Sequence, residues 1–346
     1  MSNRLSGAIQ VAAVYIGTVV GAGFATGREI VEFFTRFGFI GFLSILLSGY
    51  LFIMMGTKLM EHAIEIQAQS YEEFNEYLFG RRLGKWMNVL VMLMLLGVGS
   101  VMLAGAGAVF TEQLGLHKEI GIGLTIGLAF IVMMVGVKGL FLVNTFVVPL
   151  MILFNFLLMI YSIQSANFTT SFLMIPFAED GWKSVVAPFS YTAFNLCLAQ
   201  AVLVPIATEV NDKKTIRLGG WLGGGFLTVI LITSHMTLVT LPNVHLYEIP
   251  MAIVMKGAIQ FLYWIYVFII FAEIFTSVIG NSYGLEKQLR AHVPLHSMWI
   301  YGGLFTIMTI ISQLDYSMLL SLLYPLFGYV SLLFLIILWI KPKVRT

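Results

Sequence analysis

Residues 17–32 read GTVVGAGFATGREIVE, and the fold follows from how this stretch is read. It lies inside an apolar segment, about 7–36, where a membrane-crossing helix would be most regular. Gly17, Gly21, Gly23 and Gly27 fall within eleven residues. Each glycine costs roughly 1 kcal/mol relative to alanine in a helix interior, so helix continuity is weakest here. Arg28, Glu29 and Glu32 follow directly. Irregular backbone at membrane depth is tolerated where it lines a cavity or is buried in protein. Secondary transporters build their sites on such breaks. A helix pair packed through small residues would also use glycines. The adjoining ionisable residues and a polar cluster near Asn195 favour the break.

Composition sets the class. The chain has 346 residues, of which 59% are hydrophobic and 10% charged, and its mean hydropathy is +0.93. Soluble domains carry about 25% charged residues, so these values indicate a polytopic α-helical membrane protein. The apolar runs are continuous rather than alternating, which excludes a β-barrel. A net charge of +2 points to no polyanionic partner, and no nucleic-acid partner is expected. The single cysteine, Cys197, cannot form an intramolecular disulfide. A cleavable signal peptide is not expected, because no small-residue cleavage site precedes a soluble domain.

Ten spans of near the roughly 20 residues needed to cross the hydrocarbon core can be placed. They are about 7–36, 38–61, 86–112, 119–137, 140–163, 184–209, 216–241, 255–284, 296–314 and 317–340. The whole chain, 1–346, then forms one transmembrane domain. The segment 64–84, with YEEFNEYLFGRRLGKW, suits an amphipathic surface helix. The segment 164–183 reads as a loop with a short helix. With the N-terminus inside, fourteen of the 19 Lys and Arg fall on the cytoplasmic side. The other five are Arg28, Arg36, Lys118, Lys183 and Lys256. The positive-inside rule thus places both termini in the cytoplasm, in the plasma membrane of a bacterium. Ten spans divide as five plus five, the second repeat (about 184–340) inverted relative to the first (about 7–163). The sequences of the halves show no similarity, so the repeat rests on topology.

In that scheme span 6, VVAPFSYTAFNLCLAQAVLVPIATEV, is the partner of span 1. It carries Ser190, Tyr191, Thr192, Asn195 and Gln200 between Pro188 and Pro205, and a second interruption is expected there. In span 8, YVFIIFAEIFTSVIGNSYG, Glu273 sits in a long apolar run. A carboxylate at that depth costs at least about 2.5 kcal/mol, so it usually marks an ion or proton path. Thr276 and Ser277 follow on neighbouring helical positions, and their hydroxyls suit a hard cation such as Na⁺. Back-bonding to the preceding turn is the plainer role for such hydroxyls. His235 reads as an interfacial histidine. The glycines of span 3 read as contact points for span 1 or span 8.

These features, in this order, resemble the amino acid–polyamine–organocation superfamily, which has the inverted-repeat fold of the sodium-coupled leucine transporter. Within it, GTVVGAGFATGREIVEFF is similar to the YkvI-type amino acid permeases of bacteria. The resemblance implies an all-α fold with discontinuous helices 1 and 6. It implies Na⁺ ligation by the carbonyls of Gly17 and Val20 and the hydroxyls of Thr276 and Ser277. It implies a substrate carboxylate at Thr18, Gly21, Ala22 and Gly23, with the substrate's other groups facing Tyr191, Thr192 and Asn195. Proton-coupled relatives place a lysine from span 5 in the sodium position, and span 5 has none; Glu273 leaves a proton route open. Arg28, Glu29 and Asp315 take the places of an outer gate, with Arg28 shifted by one residue.

The function expected is ion-coupled secondary transport of a small zwitterion, an amino acid or amine, with no cofactor other than Na⁺. The alternative is a nutrient sensor on the same fold. No H-E-x-x-H, G-x-S-x-G or phosphate loop is present, so no enzyme is expected. Cysteine labelling tests the topology. Residues introduced at positions 213 and 118 are expected on opposite membrane faces, and finding both on one face would overturn the inverted repeat.

Overall fold

A computed structural model describes residues 2–135, 138–175 and 181–342; residues 176–180 of the loop expected over 164–183 lie outside them. Among the described residues the chain is helical without strands. The first apolar segment forms three pieces, α1 (Ser2–Val19), α2 (Ala22–Thr26) and α3 (Arg28–Phe33). Next come α4 (Phe39–Leu51) and α5 (Thr57–Ile66), joined through a π-helical turn at Phe52–Gly56. Then follow α6 (Tyr71–Ala108), α7 (Lys118–Val135), α8 (Lys138–Ile163) and the short α9 (Phe168–Leu173). The second half holds α10 (Trp182–Val210), α11 (Lys213–Leu238), α12 (Pro250–Ala258), α13 (Gln260–His292), α14 (Ser297–Ile311) and α15 (Tyr316–Ile340).

Among the described residues, six helical stretches are long and apolar enough to cross a membrane: Phe39–Ile66, Tyr71–Gln113, Trp182–Val210, Lys213–Leu238, Gln260–Arg290 and Tyr316–Ile340. Arg4–Val19, Val147–Ile163 and Ser297–Ile311 are shorter apolar helices. The surface helix expected over 64–84 is the first part of α6. It turns at Gly80 (φ 76°, ψ 167°) and continues into the membrane-length stretch. Gly97, Gly99 and Gly105 of α6 admit side chains from α13, α14 and α15, and Gly107 meets Lys118 and Ile122 of α7. Gly97 receives Phe327, Gly99 receives Met308, and Gly105 receives Tyr316 and Ile274.

The interruption expected in span 6 is absent, because α10 is continuous from Trp182 to Val210 with Pro188 and Pro205 inside it. A proline removes the bond to the carbonyl four residues back, which for Pro188 is that of Ser184. The Ser44 hydroxyl of α4 donates to the Ser184 carbonyl at 2.9 Å and satisfies it. The polar side chains bond back to their own helix: Asn195 donates to the Tyr191 carbonyl at 3.0 Å and Gln200 to that of Cys197 at 2.9 Å. With no glycine to weaken the backbone, the helix holds.

Tyr15 ties α1 to its neighbours. It is fully buried, and its ring lies where a Cβ on Gly223 would stand, 2.6 Å away. Its hydroxyl packs over Gly56 and donates to the Phe52 carbonyl at 2.9 Å. A π-turn shifts the helical hydrogen-bond register, and here the tyrosine supplies a donor at that point. Gly223→Ala is expected to lower stability by about 1–3 kcal/mol through overpacking. Tyr15→Phe strands a buried carbonyl and is expected to cost about 1–3 kcal/mol. Thermal unfolding in detergent reads both, and an unchanged midpoint in either variant would contradict this packing.

Candidate functional site

The site is built on the interrupted first segment. The Val20 amide still donates to the Ile16 carbonyl at 2.8 Å, but the Phe24 and Ala25 amides both turn to Gly21 O at 3.0 Å. Gly21 is extended (φ −127°, ψ −169°). Among the described backbone hydrogen bonds, none joins the amides of Gly21, Ala22 or Gly23 to the last turn of α1. The carbonyls of Gly17, Thr18, Val19 and Val20, which the amides of residues 21–24 would cap in an unbroken helix, therefore lack their helical partners. Backbone groups in an apolar setting need partners, so such a turn is a natural place for a polar ligand.

The break faces α13. A Cβ on Gly21 would stand 3.6 Å from Ser277 Oγ, while one on Gly17 or Gly280 would meet open space. Gly17, Thr18, Gly21 and Ser277 are half-buried, and Val20, Ala22 and Gly23 are buried. Two of the expected hydroxyls bond to their own helices: Thr276 to the Glu273 carbonyl at 3.1 Å and Thr18 to that of Val14 at 2.7 Å. Glu273 is buried, and its Oε1 has no hydrogen-bond partner. Gly21 and Ser277 thus come together, with Thr276 and Glu273 adjoining on α13.

Above the break, Gly27 makes a second turn in the left-handed region (φ 81°). Thr26 closes it, donating to Gly23 O at 3.0 Å and lying 2.7 Å from the Tyr316 hydroxyl. Glu29 emerges from this turn and folds back over α2; its Oε2 lies 2.6 Å from the place of a Gly23 Cβ. Tyr191 and Asn195 of α10 are its polar neighbours. Tyr191 is fully buried against Phe33 and Phe34, with ring centroids 5.1 Å and 4.9 Å away. Thr192 is fully buried and its hydroxyl has no partner.

The structure does not join Arg28 to Asp315. Arg28 donates to the carbonyls of His245 and Tyr247 at 2.7 Å and 3.1 Å, while Asp315 is exposed at the start of α15. Two residues outside the expected set fasten this side. Glu112 accepts from the Glu248 and Ile249 amides at 3.1 Å and 2.8 Å. Glu248 accepts from the Ser317 amide and hydroxyl, each at 2.7 Å. The sequence Glu248-Ile249-Pro250, an acidic residue followed by proline at a helix start, signals part of this arrangement. His235 is buried, 3.2 Å from the Thr35 hydroxyl, in keeping with its interfacial reading. Among the described residues, no group of three or more His, Cys, Asp or Glu converges as metal ligands.

Gly27→Ala places an L-residue in the left-handed region at about 1–2 kcal/mol and meets Met251 Cγ at 2.7 Å. It is expected to lower the unfolding midpoint clearly, while Gly17→Ala, whose Cβ meets nothing, leaves it unchanged. Equal midpoints for the two variants would refute the second turn.

No protein-family model matches the chain. The fold is that of solved transporter structures. A mutant form of the manganese transporter of Eremococcus coleocola gives a TM-score of 0.65 at 13% identity, covering 97% of this chain and 78% of that one. Mhp1 in its inward-facing conformation gives 0.58 at 12%, covering 94% and 73%. Two proteins of Bacillus subtilis are similar in sequence. One is the uncharacterized protein YyaD, 26% identical over 94% of each chain. The other is the uncharacterized membrane protein YkvI, 50% identical over 336 residues, 97% of this chain and 96% of that one. At that identity and coverage, the chain belongs to the YkvI family of membrane proteins.

Proposed function

We propose that this chain is an ion-coupled secondary transporter of a small zwitterionic solute, an amino acid or related amine, working by alternating access. The observation that carries the reading is the turn at Val20–Gly21, which leaves four carbonyls without helical partners and sets Gly21 next to Ser277. The shared fold of the two solved transporters supports it. In this reading ten crossings form two inverted repeats, 7–163 and 184–340. Sodium is held by the carbonyls of Gly17 and Val20 with Thr276 and Ser277, at the roughly 2.3–2.5 Å that hard cations take from oxygen. Binding would require Thr276 to turn its lone pairs toward the ion while keeping its bond to Glu273 O. The substrate's carboxylate lies at the amides of Gly21–Gly23, and its remaining groups meet Tyr191, Thr192 and Asn195.

The outer face, fastened by Arg28, Glu112 and Glu248, forms the closed side of the cycle. The open space beside Gly17 and Gly280 forms the approach from the other side.

Thr276→Val with Ser277→Ala removes two oxygens at little change in volume. Sodium-driven uptake into proteoliposomes is expected to fall to background while the protein still folds. Glu273→Gln is expected to keep sodium dependence and alter only the pH profile. Full uptake in the double variant, with pH dependence lost in Glu273→Gln, would replace sodium by a proton route through Glu273.

A further inference from the structure

The Glu29 side chain is placed directly against the interrupted helix, at Gly23. It is 4% exposed, and its carboxylate fills the space that Gly23 leaves by lacking a side chain. Its surroundings hold hydroxyls and an amide but no cation. From α10 it meets Tyr191 and Asn195. From α15, the Tyr324 ring lies against the same Gly23 position, and Tyr316 stands nearby with its hydroxyl 2.7 Å from that of Thr26. The Arg28 guanidinium points away, bonded to the carbonyls of His245 and Tyr247. Glu32 is paired with Arg36 at 2.7 Å, His235 is turned to Thr35, and Glu248 is engaged with Ser317. Glu29 Oε1 is buried and has no hydrogen-bond partner.

A buried carboxylate without a counter-charge is costly by several kcal/mol. Two things relieve that cost: a proton, or a cationic ligand. The same position also bears on the zwitterion placed above. A substrate carboxylate at the Gly21–Gly23 amides would lie close to a Glu29 carboxylate of like charge. Placing the ammonium between them removes the repulsion.

We propose that Glu29 carries a proton in the substrate-free protein and exchanges it for the ammonium group of the substrate. This rests on the transporter reading. On binding, the carboxylic O–H bond breaks and the proton leaves to bulk water. The carboxylate then accepts hydrogen bonds from R–NH₃⁺, with Tyr191 and Asn195 completing the shell. With an amine, one cation enters the site as one proton leaves it and charge balances; with an amino acid, the substrate's own carboxylate adds one negative charge, which the Gly21–Gly23 amides and the co-bound Na⁺ of the transporter reading offset. The site therefore takes amines and amino acids and rejects carboxylates that lack an amine.

The test uses the full chain in nanodiscs, as wild type and Glu29→Gln, with circular dichroism confirming that both are folded. The infrared difference between them is expected to show a carboxylic-acid carbonyl stretch that shifts in D₂O. A difference without that band overturns the proposal. In lightly buffered medium with a pH dye, the twenty standard amino acids are screened beside ethylamine and propionate as amine-only and carboxylate-only probes. Binding of an amino acid or ethylamine is expected to release protons stoichiometrically from the wild type and none from Glu29→Gln. Binding without proton release, or equal binding of propionate, overturns the exchange alone. No compound bound by the wild type overturns the transporter reading and the exchange with it, while the infrared result still decides whether Glu29 is protonated.

Discussion

The constraint on which this structure depends is the pairing of backbone polar groups in an apolar medium. An unsatisfied N–H or C=O costs several kcal/mol in hydrocarbon, so a membrane helix breaks only where something replaces the lost ladder. In α10 the replacement is local: Ser44 reaches the carbonyl that Pro188 frees, and the helix passes through. In the π-turn at Phe52–Gly56 it is Tyr15. At Val20–Gly21 no described side chain donates to the four freed carbonyls. The three places differ in what stands opposite them, and that difference makes Val20–Gly21 the candidate site.

The interruption also divides the first segment between two groups of helices. α1 is packed against α11 and α10, with Tyr15 pressed on Gly223 and Val11 on Gly219. α2 instead rests on α13 and α12, with the Tyr266 hydroxyl reaching the Ala25 carbonyl at 3.4 Å. Two consecutive pieces of one segment thus belong to different packing units, and the extended Gly21 is the joint. A continuous helix would lock the two units together. Alternating access, in the transporter reading, needs them separable.

The fold was largely legible in the sequence because glycine content and hydropathy act locally. The break at Val20–Gly21 follows from glycine's backbone cost, and the apolar stretches follow from composition. The span 6 expectation failed for a physical reason: prolines and polar residues mark a possible break, but a serine from another helix decides whether one forms. Ser44 lies 140 positions from Ser184, and no local pattern announces that pairing. The same limit applies to the site. Gly21 and Gly23, on one segment, were readable as weak points of the helix. The partners of Arg28 were not, because they are backbone carbonyls of a distant loop, and carbonyls leave no trace in residue identity.

The polar contacts on the Arg28 side of the site have a common chemistry. Arg28, Glu112 and Glu248 bond to backbone groups, with the Ser317 hydroxyl and the Gln113 side-chain amide added, rather than to one another. Charge-assisted bonds of this kind contribute about 1.5–3 kcal/mol each, so the set holds the loop around residues 245–249 firmly against α3, α6 and α15. Such bonds can also be released, because water can replace each backbone partner without leaving two opposite charges to be pulled apart. Elsewhere the chain does use paired charges: Glu61 of α5 meets Arg217 of α11 at 2.6 Å, and Glu65 meets Lys213 at 3.1 Å. Those pairs join elements that lie in one packing unit, since α5 and α11 are in direct contact. Ion pairs within the unit and charge-to-backbone bonds across the loop are what an assembly with one permanent and one reversible set of contacts requires.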